Sequence, residues 1–292
     1  MWSGWGSAAA VLFSALGAPS ALLAADTIGI RIEAGVTVDD NVTRARGDDK
    51  LSDRSYGIDL SKSLLIPVSE HTRLALAGFL GGEKFLSHTG LSRFYYGIQG
   101  EYQYRASGDF GAPTFALFGR ASADQYESNL RDGYRYSVGA TVRKPVTDRI
   151  QLFGALARNA RDARSEVFDD KDYSARVNVD YALNRGSTLY LGGEYRRGDV
   201  VTTARPSPAN INIADAVVRD DVFTDTVRNS YRVRANTILA TVGCNLASGE
   251  RHALDFSWRW VQSTPTSNPG IATPDTIRYV VNQFTVAYLI RF

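Results

Sequence analysis

The final stretch of the chain, Val280 to Phe292, alternates at period two. Phe292, Ile290, Tyr288, Val286 and Phe284 make one unbroken apolar and aromatic row. Arg291, Leu289, Ala287, Thr285 and Gln283 make the other, which is smaller and more polar. Such a pattern is a β-strand with one greasy face. That face must be covered either by a second sheet, as in a soluble sandwich, or by lipid, and the rest of the chain decides between the two.

The same alternation recurs upstream. Ile30, Ile32, Ala34, Val36 and Val38 alternate with Arg31, Glu33 and Thr37. Tyr56, Ile58 and Leu60 open a second strand, and Leu74, Leu76 and Leu80 mark a third. Further rows begin at Phe94, Phe115, Tyr134, Ile150, Tyr173, Leu189, Tyr231 and Leu254. The apolar row changes parity near Asn236–Thr237, which predicts a bulge there. The sum is about twelve strands, each near the ~10 residues that cross a bilayer as a tilted strand. Long polar connections follow the odd strands and short turns follow the even ones. A sandwich has no reason to sort its loops by length, whereas a membrane barrel with both termini on its short-turn side does so. Tyr56, Phe94, Tyr96, Tyr134, Tyr136, Tyr173, Tyr195, Tyr231, Trp258 and Trp260 fall beside the long loops. Tyr102, Tyr104, Phe115, Tyr181, Tyr288 and Phe292 fall beside the short turns. Two such belts are what amphipathic rings form at the two headgroup levels. Lipid offers no partner to an open sheet edge, so the strands must close. The predicted fold is all-β: an antiparallel transmembrane β-barrel of about twelve strands with periplasmic N- and C-termini.

Bulk composition agrees, because a barrel strand is only half apolar. Hydrophobic residues are 44% and mean hydropathy is −0.20. The net charge of +2 gives no argument for nucleic acid. A single cysteine, Cys244, excludes an intrachain disulfide, and its place in an apolar row reads as a small buried or lipid-facing hydrophobe. His71, His88 and His252 are widely spaced, with no zinc-type or phosphate-cradling motif, so no metal or cofactor site is read. Residues 1–25 carry no charge, and Ala8 to Ala25 is apolar and small-residue rich, as in a secretory signal peptide that lacks the usual basic start. The expected organisation is a signal over 1–25 and one barrel domain over 26–292.

The C-terminal strand resembles that of bacterial outer-membrane β-barrel proteins. The segment Val36-Thr-Val-Asp-Asp-Asn-Val-Thr-Arg44 is similar to the first hairpin of uncharacterised proteobacterial β-barrel porins. The resemblance implies residence in the outer membrane, among its lipid and lipopolysaccharide. It also implies that Phe284, Val286, Tyr288, Ile290 and Phe292 are an assembly signal read by the barrel-insertion machinery.

Function is sought in the inward row. It carries Arg31, Arg120, Arg135, Arg143, Arg176, Arg196, Arg232, Arg234 and Arg259, with Arg73, against Glu33, Asp59, Glu101, Asp180, Glu194 and Asp255, with Glu83 and Asp124. A lumen of mixed charge with a basic excess suits a porin-like channel for passive diffusion of small polar or anionic solutes. The alternative is that these charges pair and fill the interior, leaving a structural or binding barrel that works through its external loops in adhesion, docking or export. The irregular stretch Gly198 to Asn229 could fold inward as a constriction. The acidic pairs Asp39–Asp40, Asp48–Asp49, Asp169–Asp170 and Asp220–Asp221 read as solvated loop charges, or as oxygens for divalent ions bridging to lipopolysaccharide. His88, beside Ser87, is the one histidine on the long-loop side. It has no acidic or amide partner at strand spacing, so no enzyme is expected.

Overall fold

The computed structural model describes residues 29–266 and 277–292; the expected signal peptide lies outside them. The alternating segments become β1 (Gly29–Asp39), β2 (Asp53–Pro67), β3 (Thr72–Phe85), β4 (Arg93–Arg105), β5 (Thr114–Tyr126), β6 (Gly133–Pro145) and β7 (Ile150–Ala163). They continue as β8 (Asp170–Asn184), β9 (Ser187–Ala204), the short β10 (Ala216–Arg219), β11 (Asn229–Ser248), β12 (His252–Pro265) and β13 (Tyr279–Arg291). Every neighbour is antiparallel. β13 closes on β1 from Arg31↔Arg291 to Asp39↔Gln283, and β9 pairs with β11, so twelve strands form a closed wall. The four-residue β10 lies outside that ring of twelve, paired to β11 beyond the end of β12.

Period two decides what faces out. Ile58, Ile98, Leu117, Val138, Leu156, Val177, Leu191 and Phe284 are all more than half exposed, in a band around the wall. In water this surface would be an aggregation hazard, and in a bilayer it is the lipid contact. Tyr56, Tyr96, Tyr134, Tyr136 and Tyr173 border it at the long-loop end, and Tyr102, Tyr104, Phe115 and Phe292 at the other. No described helix is long and apolar enough to cross a membrane; the strands cross it.

Connections at one end are short: residues 68–71, 146–149, 185–186 and 249–251. The stretch 106–113 is an exception, longer than the 127–132 and 164–169 connections at the opposite end. At the long-loop end β9 and β11 rise well beyond their neighbours. Gly198 to Asn229 is therefore irregular only in part: β9 runs to Ala204, a short helix α1 (Pro208–Ile213) follows, β10 leads back, and residues 220–228 form an irregular connection to β11. The charged segment after Ala160 is likewise strand as far as Ala163.

The expected bulge at Asn236–Thr237 is absent. β11 pairs with β9 without a shift from Asn229↔Ala204 to Leu246↔Ser187, and the one irregularity falls at Ala182/Asn184. The apolar row changes because the environment changes. Beyond the lipid band the inner face of β11 is covered by loops, so Tyr231 and Val233 point inward and are fully buried against Ala45 and Ile277. Tyr231 thus belongs to no aromatic belt.

Candidate functional site: the lumen and its loop cap

Arg31, Arg120, Arg135, Arg143, Arg176, Arg196, Arg259, Glu33, Asp59, Glu101, Asp180, Glu194 and Asp255 occupy inward positions of their strands. Arg232 and Arg234 do not. They alternate with the inward Tyr231, Val233 and Ala235, so both lie on the outer face of the raised β11 wall, where Arg232 bonds to Glu166 at 2.9 Å. Arg73 is exposed at the short-turn rim.

The inward charges are gathered into networks. In the long-loop half, Arg93 bridges Glu83 at 3.4 Å and Asp124 at 3.2 Å, and Arg135 also binds Asp124. The Tyr126 hydroxyl accepts from Arg135 at 2.9 Å, and the Arg161 guanidinium lies 5.3 Å from the Tyr126 ring. Across the lumen, Glu194 accepts from Arg176 at 3.1 Å and from Arg196 at 2.5 Å. Nearer the short turns Arg31 pairs with Glu33 at 2.5 Å, Tyr190 donates to Asp255 at 2.8 Å, and Tyr95 donates to Asp59. Both signs occur at both levels: Arg93, Arg135 and Arg161 stand among Glu83, Asp124 and Asp170 toward the long loops, and Arg31 and Arg143 among Glu33, Asp180 and Asp255 toward the short turns. Sequence reasoning missed Arg93 and Arg161. Their parity with Tyr95 and Phe153 would have placed them inward had the strand ends been drawn further.

Glycines set how closely this interior packs. A Cβ at Gly243 would stand 2.2 Å from the Tyr190 ring, one at Gly81 2.5 Å from the Tyr95 hydroxyl, and one at Gly139 2.2 Å from the Leu156 carbonyl. Rings laid flat over missing side chains thicken the wall. Buried and accessible inward residues occur on both sides of the barrel. On β8 to β13 the inward Asn178, Asp180, Tyr190, Asp255 and Leu289 are buried, while the Arg176 side chain keeps 15% of its exposure. On β1 and β6 the inward Arg31, Glu33 and Arg135 side chains keep 15%, 19% and 18% of their exposure, so solvent reaches them inside the barrel.

The long-loop end is shut by loops rather than by wall. Val42, Phe85, Leu91, Val167, Phe168, Val222 and Phe223 converge there in one apolar cluster, none more than 8% exposed. Polar bonds lock it. Arg131, 1% exposed, donates to Asp220 at 2.5 Å, to Asp221 at 3.2 Å and to Ser128 at 2.9 Å, with its guanidinium 4.2 Å above the Phe168 ring. The first loop folds in beneath. Arg44, at a φ of 56°, grips Asp39 with two nitrogens at 2.8 and 3.2 Å, while Asn41 donates to the Ala45 and Val280 carbonyls. Below it lies a cavity of about 70 Å³ lined by Arg44, Asp172, Arg196, Arg259, Tyr279 and Gln283.

Each acidic pair is split: Asp48 and Asp221 are exposed, as solvated loop charges are, and Asp40 and Asp169 are partly so, while their neighbours turn inward. Asp39, Asp49, Asp170 and Asp220 are each at most 5% exposed, and Asp40 binds Lys50 and Asn282 at 2.9 Å each. Among the described residues no group of three or more acidic, histidine or cysteine side chains is arranged to hold a metal ion. His88 has the acidic partner that strand spacing did not reveal. Its Nδ1 lies 2.9 Å from Asp53 across the loop, and its ring tilts against Phe223 at 5.0 Å. That pair ties the β2 entrance to the cap. Burial alone would raise the Asp53 pKa, but the backbone N–H groups of His88, Arg54 and Ser87 and the His88 side chain outweigh it, holding the carboxyl below its ordinary range. Asp40 is held low in the same way: burial opposes, and the Asn282 side chain and backbone and Lys50 prevail.

No protein-family model matches the chain, and no curated protein matches it. Among solved structures, an outer membrane channel from Pseudomonas putida F1 superposes with a TM-score of 0.59 at 14% identity, covering 94% of this chain and 98% of that one. The KdgM porin aligns at a TM-score of 0.46 and 11% identity over 90% and 99% of the two chains. The NanC porin aligns at 0.47 and 8% over 89% and 98%. The first likeness, with the closed wall and its apolar band, gives the chain the fold of a bacterial outer-membrane β-barrel.

Proposed function

We propose that this protein is a gated outer-membrane channel for small polar solutes, exported by the signal in residues 1–25 and set with its long loops outside and both termini in the periplasm. The observation that carries the reading is the solvent accessibility of inward charges such as Arg31, Glu33 and Arg135 beneath a cap built from loops. The lumen would be a vestibule entered from the short-turn end and shut at the other by a displaceable apolar plug. Arginines and carboxylates are mixed at both levels, Arg93 and Arg135 with Glu83 and Asp124 near the cap and Arg31 with Glu33 lower down, so the lumen would suit small polar solutes of either sign. The Pseudomonas putida channel shares the fold and supports the reading by analogy only. The last strand, with Phe284, Val286, Tyr288, Ile290 and Phe292 outward, would present the insertion signal.

The test is planar-bilayer conductance of residues 26–292 across a salt gradient. Infrequent openings in the wild type, becoming frequent when the cap is weakened, support the channel. One observation favours the closed-barrel alternative: the burial of inward side chains such as Asn178, Asp180, Tyr190 and Asp255. A folded, heat-modifiable barrel that conducts neither with nor without its cap would establish that alternative and move function to the loops.

A further inference from the structure

The outer face of β7, β8 and β9 carries cations that neither the lumen nor the cap uses. Arg158 pairs across the sheet with Tyr173, and Tyr173 with Arg197, so three outward side chains form one row over adjacent strands. Lys171 stands two residues from Tyr173 toward the loops. Arg158, Lys171 and Arg197 are exposed, as is Tyr173 at 64%. Arg158 lies 5.7 Å from the Tyr173 ring, and none of the three cations forms an ion pair among the described residues. Of the other outward cations at this end, Lys84 is partnered by Glu127 and Arg232 by Glu166 and Asp169, whereas the exposed Arg54 on β2 forms no ion pair among the described residues and has only the already paired Lys84 beside it. The nearby carboxylate Asp199 faces Arg234 across the strand pair and accepts from the Lys171 backbone.

The level of the row gives it meaning. Immediately toward the short turns the next outward row is Leu156, Ala175 and Tyr195, and beyond it stand Val177 and Leu191, all lipid-facing. The cations therefore sit where the apolar band meets the headgroups. Strands lie about 4.8 Å apart, so Arg158 and Arg197 are roughly 10 Å apart across Tyr173, with Lys171 above them. Unpaired cations at a headgroup level attract phosphate, and Arg binds it with a planar fork. Small Ala175 between Leu156 and Tyr195 leaves a shallow apolar track directly below the row.

We infer that Arg158, Lys171, Arg197 and Tyr173 form a binding site for a phosphorylated glycolipid of the outer leaflet, with its phosphates on the basic row and one acyl chain on the track over Ala175. The assignment concerns the outside of the wall; it rests on the proposed orientation with the long loops outside, and does not depend on whether the lumen conducts.

The test uses the full barrel in detergent with bisphosphorylated lipid A as the probe, read by native mass spectrometry. Substituting all three cations, R158Q/K171Q/R197Q, should weaken binding at least tenfold. R54Q/K84Q, at the same level on another part of the wall, should leave it unchanged. Wild type should bind dephosphorylated lipid A no better than the triple variant binds the intact probe. Heat-modifiability on gels verifies folding, and the single variants R158Q and R197Q, each expected to weaken binding severalfold, serve if the triple variant does not fold. Equal lipid A binding by wild type and variants would overturn the site. Equal competition by inorganic phosphate, or equal preference for phosphatidylglycerol, would also overturn the glycolipid assignment by showing a site for any anion.

Discussion

Arg131→Ala is the perturbation that most directly asks whether the cap is a gate. The guanidinium is 1% exposed and, among the described residues, is the one cation paired with Asp220, whose carboxylate also accepts from the Ser230 hydroxyl at 2.5 Å, the Thr203 hydroxyl at 3.3 Å and the Val222 N–H at 2.9 Å. Removing one member of a buried pair costs about 3–5 kcal/mol, because the other charge stays buried without compensation. Three donors remain on Asp220, so the lower end, about 3 kcal/mol, applies. At about 1.4 kcal/mol per tenfold, the population with the cap displaced should rise by about a hundredfold. Hydrogen exchange at Asp220 and Val222 should accelerate by that factor while β5 and β6 keep their protection, and channel openings in a planar bilayer should become correspondingly frequent. Arg131→Lys, which keeps the charge but not the fork, should fall between. Unchanged exchange at Asp220 and Val222 would refute the energetic reasoning. Faster exchange without any conductance would refute the gate while leaving the latch intact.

Other outcomes follow from the same geometry. Gly139→Ala drives a Cβ to 2.2 Å from the Leu156 carbonyl and against the Phe118 ring; overpacking of this kind costs about 1–3 kcal/mol, and a lower unfolding temperature of the refolded barrel is the readout. Phe292→Ala removes a side chain that is 65% exposed while keeping the backbone bonds between residues 292 and 30. Membrane insertion should slow severalfold with no change in thermal stability, and an equal loss of both would argue against a signal role. The Asp40 and Asp53 carboxyls titrate below the ordinary value near 4. A depressed folded-state pKa gives stability that is present above the unfolded value and lost as pH falls through the folded one. Exchange protection at Asn282, Ser87 and His88 should hold at pH 5 and fail only below about pH 4; loss between pH 5 and 6 would show that another group carries the anchor.

Much of the wall was legible from the residues. Phe284, Val286, Tyr288 and Phe292 point outward as their period requires, and so do Ile58, Ile98 and Leu117. The inward positions of Arg120, Arg135, Arg176, Glu194 and Asp255 follow from the same alternation. The reading failed where the solvent on each face was assumed rather than known. On β11 the alternation alone sets the apolar Tyr231 and Val233 toward lipid and so Arg232 and Arg234 inward. In the fold this part of the strand stands clear of the bilayer, and the covered face is the inner one. His88 failed differently: its partner Asp53 lies on another strand, 35 positions away, and no spacing rule reaches it.

Sequence alone determined the barrel, because alternation is a local property and every strand carries its own copy of it. Sequence also determined which side chains line the wall wherever lipid covers the other face. Tertiary structure decided whether there is a way through. The cap joins Val42, Leu91, Phe168 and Phe223 from four separate connections, and its lock sets Arg131 against Asp220. The physical reason is that a loop's place is fixed by contacts between segments distant in sequence. Period and propensity describe only what lies within one strand.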